Sequence, residues 1–159
     1  MIYIFSAFYA EAKNIIDHYG LKKEKSPEMV RFDVFANDSI RLVITGVGEI
    51  NAAAAVSNIG GAYGISPDDE ILNVGCGAGF SSDICLGSIF LGNKLTEQMT
   101  GRTFYPDMLM NANFRECEIV TVARVLNEGC DSVVYDMEAA AVYPVSYTHL
   151  RAHETSLHL

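Results

Sequence analysis

Short apolar runs alternate with helical segments along this chain of 159 residues, and that alternation constrains the fold more than any other feature. Residues 2–8 have the length and the β-branched and aromatic content of a buried strand, and residues 10–18 have helical spacing. An alanine-rich helix is predicted at 50–63, followed by a buried strand at 71–74. Strands that are apolar on both faces need helices on both sides. The pattern therefore predicts a three-layer α/β fold.

The remaining segments make the predicted sheet mixed. Apolar and polar side chains alternate over residues 29–35, and residues 40–45 form a mainly apolar run. Because Asn37-Asp38 lies between them, we expect an antiparallel hairpin. Residues 84–95 are mostly strand-like, residues 120–126 fit a strand or a helix edge, and a short strand is expected at 132–135. A helix is expected to begin at 136–143. Half of the residues are hydrophobic, and no linker or second core appears. We therefore expect one domain.

Charge and composition exclude several classes of partner. Eleven basic and 20 acidic residues give a net charge of −9, so nucleic acid and anionic membranes are poor partners. No apolar run approaches the roughly 18 residues that span a bilayer. The four cysteines lack C-x-x-C spacing and a nearby histidine, which predicts free thiols rather than a zinc or redox site; they are Cys76, Cys85, Cys117 and Cys130. These features predict a cytoplasmic protein.

The last fifteen residues differ from the rest of the chain. Residues 145–159 have no apolar period and contain three of the four histidines. From Val145 the string resembles a translated transposon-end sequencing adapter. We therefore expect the natural domain to comprise residues 1–144, with a non-native tail at 145–159. The histidine spacing in this tail is not interpreted as a metal site, and no metal is expected.

Three glycine-containing or polar turns follow predicted apolar strands, at residues 6–11, 45–49 and 73–79. Ligands of α/β proteins bind at such turns, where backbone N–H groups and helix N-termini point outward. A dinucleotide fold is disfavoured, because Phe80 stands where the glycine signature starting at Gly75 needs its third glycine. From spacing alone, the 75–79 cluster fits a ligand floor and a tight structural turn equally well.

Two carboxylates stand at predicted helix starts. Glu11 follows the first strand, and Glu138 follows the strand at 132–135. Breaking a glycosidic C–N bond passes through an oxocarbenium-like sugar, which needs one carboxylate to direct water and another group to hold the sugar hydroxyls. Glu11 and Glu138 suit those two tasks if the strand ends are neighbours. The alternative is that both only complement the positive end of a helix.

Four segments carry a family resemblance: residues 7–12, 45–53, 71–79 and 134–141. Their order resembles that of the purine nucleoside phosphorylase/nucleosidase superfamily, in particular its 5′-methylthioadenosine/S-adenosylhomocysteine nucleosidases. The resemblance covers nearly all of residues 1–144, and the Asp-Met-Glu-Ala-Ala segment that starts at Asp136 is its most specific part. It implies a three-layer, nucleoside-phosphorylase-like fold with a central mixed sheet, here without its C-terminal elements.

The resemblance also implies roles for individual residues. Glu11 matches the glutamate that activates the hydrolytic water, and Glu138 matches the residue that binds the ribose 2′- and 3′-hydroxyls. Cys76 stands where these nucleosidases often carry serine, and Val74 replaces a threonine, so two hydroxyl groups are missing. The further substrate-contacting residues implied are Met137 beneath the sugar, Gly46, Gly48 and Gly75 in ligand-adjacent turns, and Phe104 and Tyr105 across a dimer interface. Met137 also fits plain core packing, and residues 103–107 equally fit a core-packing loop.

The function that follows is hydrolysis of adenine nucleosides carrying a 5′-thio substituent, with a small-molecule nucleoside as partner and no metal or organic cofactor. A homodimer is implied for the full-length parent. Family members use an aspartate on a later strand to protonate the leaving purine, and that strand would lie beyond Pro144, so we expect this chain to be impaired. Phosphorolysis is one alternative, disfavoured because no Gly-Asp-Pro-type phosphate loop is present. A nucleoside-binding module without catalysis is the other.

Overall fold

The computed structural model describes residues 1–107 and 113–151, with side chains described as far as residue 149. Within these ranges the chain forms three helices: α1 (Tyr9–Tyr19), α2 (Glu49–Tyr63) and α3 (Ala139–Arg151). The strands in the same ranges are β1 (Ile2–Ser6), β2 (Lys22–Lys23), β3 (Asp33–Ala36), β4 (Ile40–Ile44), β5 (Glu70–Asn73), β6 (Ala78–Gly79), β7 (Phe90–Glu97), β8 (Thr103–Phe104), β9 (Arg115–Thr121) and β10 (Val133–Asp136). None of these helices could cross a bilayer.

The strands form two mixed sheets of five strands each. The first has the order β2-β3-β4-β1-β5, in which β1 lies parallel to both β4 and β5. β3 and β4 form the predicted antiparallel hairpin. The second sheet has the order β6-β10-β9-β7-β8, with β9 parallel to β7 and β10. The α/β class with mixed pairing is confirmed, and the division into two sheets is a feature that the sequence did not reveal.

The first sheet lies between α1 and α2 and forms three layers. Alternate residues of β1 point to opposite faces, so Tyr3 and Phe5 pack with the α2 side of the core, whereas Ile4 packs with α1. The alanine-rich α2 has no bulky side chain on its inner face until Val56 and Ile59, both fully buried. This apolar sandwich fixes where β1 and β4 end.

The second sheet has a smaller core. Its buried members are Val122, Val133 and Tyr135. The Tyr135 ring contacts the Phe80 ring edge-on at 5.6 Å, and its hydroxyl oxygen accepts a hydrogen bond from the Cys130 N–H. Most of β7 and β9 is only half-buried. The second sheet is therefore packed less completely than the first.

Two predicted elements differ from the observed ones. The strand expected over 84–95 was wrong in its first half, because residues 84–89 form turns, one closed by the Ser88 N–H donating to the Cys85 carbonyl, and Gly87 has φ +85°. The helix expected to begin at 136–143 starts at Ala139 and continues through Pro144 to Arg151. Proline supplies no N–H to the helix ladder. Even so, Val145 packs on the first core and Ser146 is buried.

Candidate active site

Glu11 joins three parts of the first sheet. It is the third residue of α1, and its Oε2 accepts hydrogen bonds from the Ser6 hydroxyl at 3.3 Å and from the Phe8 N–H at 3.2 Å. Its Oε1 accepts the Cys76 N–H at 3.0 Å. The bond to Phe8 caps the helix, as the sequence alternative proposed. The contact with Cys76 goes further, because it links the end of β1 to the turn after β5.

Glu138 reaches across to the start of α2. Its Oε1 accepts the Gly48 N–H at 2.7 Å, a contact between residues 90 positions apart. Gly48 caps α2 with φ +94°, a conformation that favours glycine. The carboxylate therefore lies at the positive end of α2 and joins the two halves of the molecule.

Asp136 holds Glu138 in place. Its Oδ2 accepts the N–H groups of Glu138 and Ala139 at 3.2 and 2.7 Å, and its Oδ1 accepts the Thr121 hydroxyl at 2.6 Å. The Thr121 hydroxyl oxygen accepts the Ala140 N–H at 2.9 Å. These bonds satisfy the free N–H groups of the first turn of α3. The sequence analysis named Asp136 only as the first residue of the Asp-Met-Glu-Ala-Ala segment, and nothing in it pointed to Thr121.

A cavity of about 750 Å³ lies where the two sheets meet. Its walls include Gly75 and Cys76 from the first sheet's side and Asp136 and Glu138 from the second. Glu11 lies directly behind this wall, since a Cβ atom added to Gly75 would be 3.6 Å from Glu11 Oε2. The structure thus places Glu138 in the cavity wall and Glu11 directly behind it.

Burial and crowding of carboxylates raise several pKa values here. Burial is the main cause that raises the pKa of Glu138, and the negative charges of Asp136 and Glu11 raise it further. The hydrogen bond from the Gly48 N–H acts in the opposite direction and lowers it. Burial likewise raises the pKa of Asp136. Burial and the neighbouring Glu11 carboxylate raise the pKa of the Cys76 thiol, which keeps it neutral. The site therefore favours groups that donate hydrogen bonds.

The cavity wall carries no lysine or arginine among the residues described. In the same ranges, no group of three or more histidine, cysteine, aspartate or glutamate side chains could hold a metal ion. Acidic walls repel anions. The arrangement is suited to a neutral ligand rich in hydroxyl groups.

The remaining predicted residues occupy varied positions. Gly46, with φ +80°, donates its N–H to the Ala7 carbonyl at 3.2 Å, so it shapes the turn beside the cavity. Met137 packs against the core of the second sheet, as its alternative interpretation proposed. Phe104 and Tyr105 lie outside the cavity wall and contact Tyr143: the Phe104 ring is 5.9 Å from the Tyr143 ring, and the Tyr105 carbonyl accepts the Tyr143 hydroxyl. Their roles in substrate binding stay predictions.

Comparisons with known proteins identify the fold. The chain is similar to a 5′-methylthioadenosine/S-adenosylhomocysteine nucleosidase from Neisseria meningitidis in complex with methylthio-immucillin-A, with a TM-score of 0.76 and 17% identity over 92% of this chain and 79% of that one. It is also similar to the Streptococcus pneumoniae MTA/SAH nucleosidase in complex with 8-aminoadenine (TM-score 0.75, 18% identity, 93% and 80% covered). A futalosine hydrolase mutant of Helicobacter pylori gives a TM-score of 0.76 at 13% identity, with 92% and 83% covered.

No protein-family model matches the chain, and no curated protein matches it in sequence. The structural likeness defines the fold: the chain has the α/β fold of these solved nucleosidases. The similar structures include 5′-methylthioadenosine/S-adenosylhomocysteine nucleosidases. At 13–18% identity this likeness describes the fold, and the chemistry has to be argued from the site.

Proposed function

We propose that the 750 Å³ cavity binds an adenine nucleoside with a 5′-thio substituent and that Glu11 directs water onto its C1′ atom. The observation that supports the proposal is that two carboxylates from distant parts of the chain come together here, Glu138 in the cavity wall and Glu11 directly behind it. Its volume lies within the roughly 300–1,000 Å³ of small-molecule sites. The fold is shared with nucleosidases seen with methylthio-immucillin-A and with 8-aminoadenine, which supports a nucleoside as ligand.

Glu11 is suited to the role of base. Three donors fix its carboxylate without placing a cation beside it, so it keeps acceptor capacity toward the cavity. As the bond between C1′ and the base nitrogen breaks, its electron pair leaves with the base. The water oxygen forms the new bond to C1′, and its proton passes to Glu11. The negative charge of Glu11 also stabilises the positive sugar in the transition state.

Glu138 is suited to holding the sugar. Gly48 occupies Oε1, so Oε2 is available to accept ribose hydroxyls. Asp136 fixes the backbone of Glu138, which limits how far its side chain can move. Hydrolysis is favoured over phosphorolysis, because the described wall offers no lysine or arginine to bind phosphate.

The test measures adenine released from methylthioadenosine in phosphate-free buffer. Glu11→Gln keeps an oxygen for the Phe8 N–H but removes the base, so kcat should fall by roughly 10²–10⁴-fold. Glu138→Gln should mainly weaken binding of the nucleoside. The matched control is Glu28→Gln, an exposed position that should behave as wild type. Unchanged turnover in Glu11→Gln, or turnover that depends on added phosphate, would contradict the proposal.

Binding without turnover is a second candidate, favoured by the turn at Val74 and Cys76. Neither residue supplies a hydroxyl group, although the backbone N–H of Cys76 donates to Glu11. Calorimetry with methylthioadenosine beside the adenine assay separates the two functions. Heat of binding that Glu138→Gln abolishes, without any release of adenine, would support the binding module.

A further inference from the structure

The first strand ends in a buried hydroxyl group. β1 is apolar from Ile2 to Phe5 and ends in Ser6, which is only 1% exposed. Because alternate residues of a strand face the same side, Ser6 shares the face of Ile4, which packs with α1. A buried hydroxyl group costs free energy unless it has a hydrogen-bond partner. The partner of Ser6 lies on α1, since its Oγ donates to Glu11 Oε2 at 3.3 Å.

The backbone of Ser6 is held firmly. Ser6 pairs with Ile44 in the parallel ladder between β1 and β4. Its carbonyl accepts the Thr45 N–H at 2.9 Å and the Thr45 hydroxyl at 3.4 Å. The Ser6 hydroxyl therefore starts from a fixed point in the well-packed sheet. Glu11, whose carboxylate stands at the end of a longer side chain, is the movable member of the pair.

The three groups that donate to Glu11 are not equivalent. The N–H groups of Phe8 and Cys76, at 3.2 and 3.0 Å, belong to the backbone. The bond from Phe8 caps α1 and by itself would leave the carboxylate at the helix end. Cys76 belongs to a turn in the cavity wall, which has to accommodate any ligand. Ser6 is thus the donor that holds the carboxylate against β1 independently of both.

Ser6 also differs from the other two partners in its chemistry. A general base accepts a proton during the reaction, and a protonated carboxyl group donates a hydrogen bond as well as accepting one. The N–H groups of Phe8 and Cys76 can only donate. The Ser6 hydroxyl can rotate and accept, so it can stay bonded to Glu11 in both the ionised and the protonated form.

We propose that Ser6 is a positioning residue that keeps the Glu11 carboxylate directed at the attacking water before and after the proton is transferred. This inference rests on the proposed function, in which Glu11 is the base. Ser6 acts through Glu11, because it is buried and lies outside the cavity wall. Its loss should lower kcat and leave KM nearly unchanged, since the sugar is assigned to Glu138.

The first test measures adenine released from methylthioadenosine. Ser6→Ala removes the hydroxyl and should lower kcat by roughly tenfold or more, with KM within about twofold of wild type. Ser6→Thr keeps a hydroxyl on a residue that suits a strand and should restore most of kcat. The matched control is exposed Ser57→Ala, and melting temperatures check that the variants are folded. Unchanged kcat in Ser6→Ala, or a raised KM with unchanged kcat, would overturn the proposal.

A second test needs no turnover. Hydrogen exchange at the Cys76 N–H reports how well Glu11 is held, because Glu11 is its acceptor. Exchange there should become roughly threefold faster or more in Ser6→Ala. It should stay unchanged at Val74, whose N–H donates to the Phe5 carbonyl at 2.9 Å. Unchanged exchange at Cys76 would overturn the role of Ser6. If the wild type releases no adenine, the proposed function fails, and exchange at Cys76 still decides whether Ser6 positions Glu11.

Discussion

The two sheets differ in how completely they are packed, and they contribute equally to the site. β1 and β4 are buried between helices on both faces, with Phe5 and Leu42 fully buried, whereas most of β7 and β9 is half-exposed. Yet Glu11 comes from the well-packed side and Glu138 from the other. The comparison indicates that the first sheet supplies most of the stability and that the site depends on the junction between the two.

The largest expected effect is on the free energy of unfolding, and it is tested by replacing one leucine in each sheet. Leu42→Ala in the first sheet should lower the free energy of unfolding by about 2–5 kcal/mol, because it empties a fully buried position. Leu91→Ala in the half-buried β7 should cost about 1 kcal/mol. Urea unfolding of both variants measures this difference. Similar losses would show that the two sheets are equally well packed.

The second largest effect is expected at the junction between the two sheets. Thr121→Val removes the hydroxyl that donates to Asp136 and accepts from Ala140, leaving a buried carboxylate oxygen without that partner. We expect a loss of about 1–3 kcal/mol in unfolding free energy. The affinity for methylthioadenosine should fall as well, since Asp136 positions Glu138. The control is Thr148→Val, whose hydroxyl bonds the Pro144 carbonyl at an exposed position. Thr121→Val with unchanged stability and affinity would break the proposed link.

A stabilising change is expected beside the second sheet. Ser146 is 4% exposed, and its hydroxyl has no hydrogen-bond partner among the described residues. Ser146→Ala should therefore raise the unfolding free energy by about 1 kcal/mol, because a buried polar group without a partner costs about that much. Thermal unfolding measures the gain, with exposed Ser57→Ala as the matched control. A loss of stability in Ser146→Ala would contradict this account.

The smallest expected effect is on pH dependence. The folded state raises the pKa values of Asp136 and Glu138, and burial with the charges of Glu97, Asp136 and Glu138 raises that of Glu49. A raised carboxyl pKa means that the folded state binds more protons, so stability is lost as pH rises above the ordinary glutamate value of 4.5. The melting temperature should be roughly 2–4 °C higher near pH 5 than near pH 7.5.

A variant checks the origin of this dependence. Glu49→Gln removes one of the crowded carboxylates, so the difference in melting temperature between the two pH values should shrink. Exposed Glu28→Gln should leave that difference unchanged. The lowered pKa values of Asp69 and Glu118 act in the opposite direction, with stability lost as pH falls through them, well below this window. A melting temperature that rises from pH 5 to pH 7.5 would contradict the assignment.

Local patterns in the sequence predicted the first sheet well. The helix expected at 10–18 is observed at Tyr9–Tyr19, ended by Gly20 with φ +63°, and the helix expected at 50–63 is observed at Glu49–Tyr63. Residues 10–18 have a helical apolar period, residues 50–63 are rich in alanine, and Gly20 and Gly64 end the two helices. The two-residue strands β2, β6 and β8 are defined by their pairing with β3, β10 and β7, and they are too short to carry an apolar period.

The candidate site likewise has parts that the sequence predicted and parts that it did not. Glu11 and Glu138 were candidates because each follows a strand at the start of a helix, and the structure places Glu138 in the cavity wall and Glu11 directly behind it. The hydrogen bond from Thr121 to Asp136 could not be predicted, because it depends on the register between β9 and β10. The first half of the strand predicted over 84–95 was wrong, because the apolar composition of residues 84–89 hides the turn at Gly87.

The bond between the Gly48 N–H and Glu138 has a consequence for the order of assembly. It joins residues 90 positions apart, so the first sheet and α2 can be complete while that N–H still lacks its acceptor. During synthesis the N-terminal part emerges first, and the bond from Gly48 to Glu138 is completed only when α3 begins to dock. The proposed nucleoside binding would then be a late event, which reports that both halves of the polypeptide have come together.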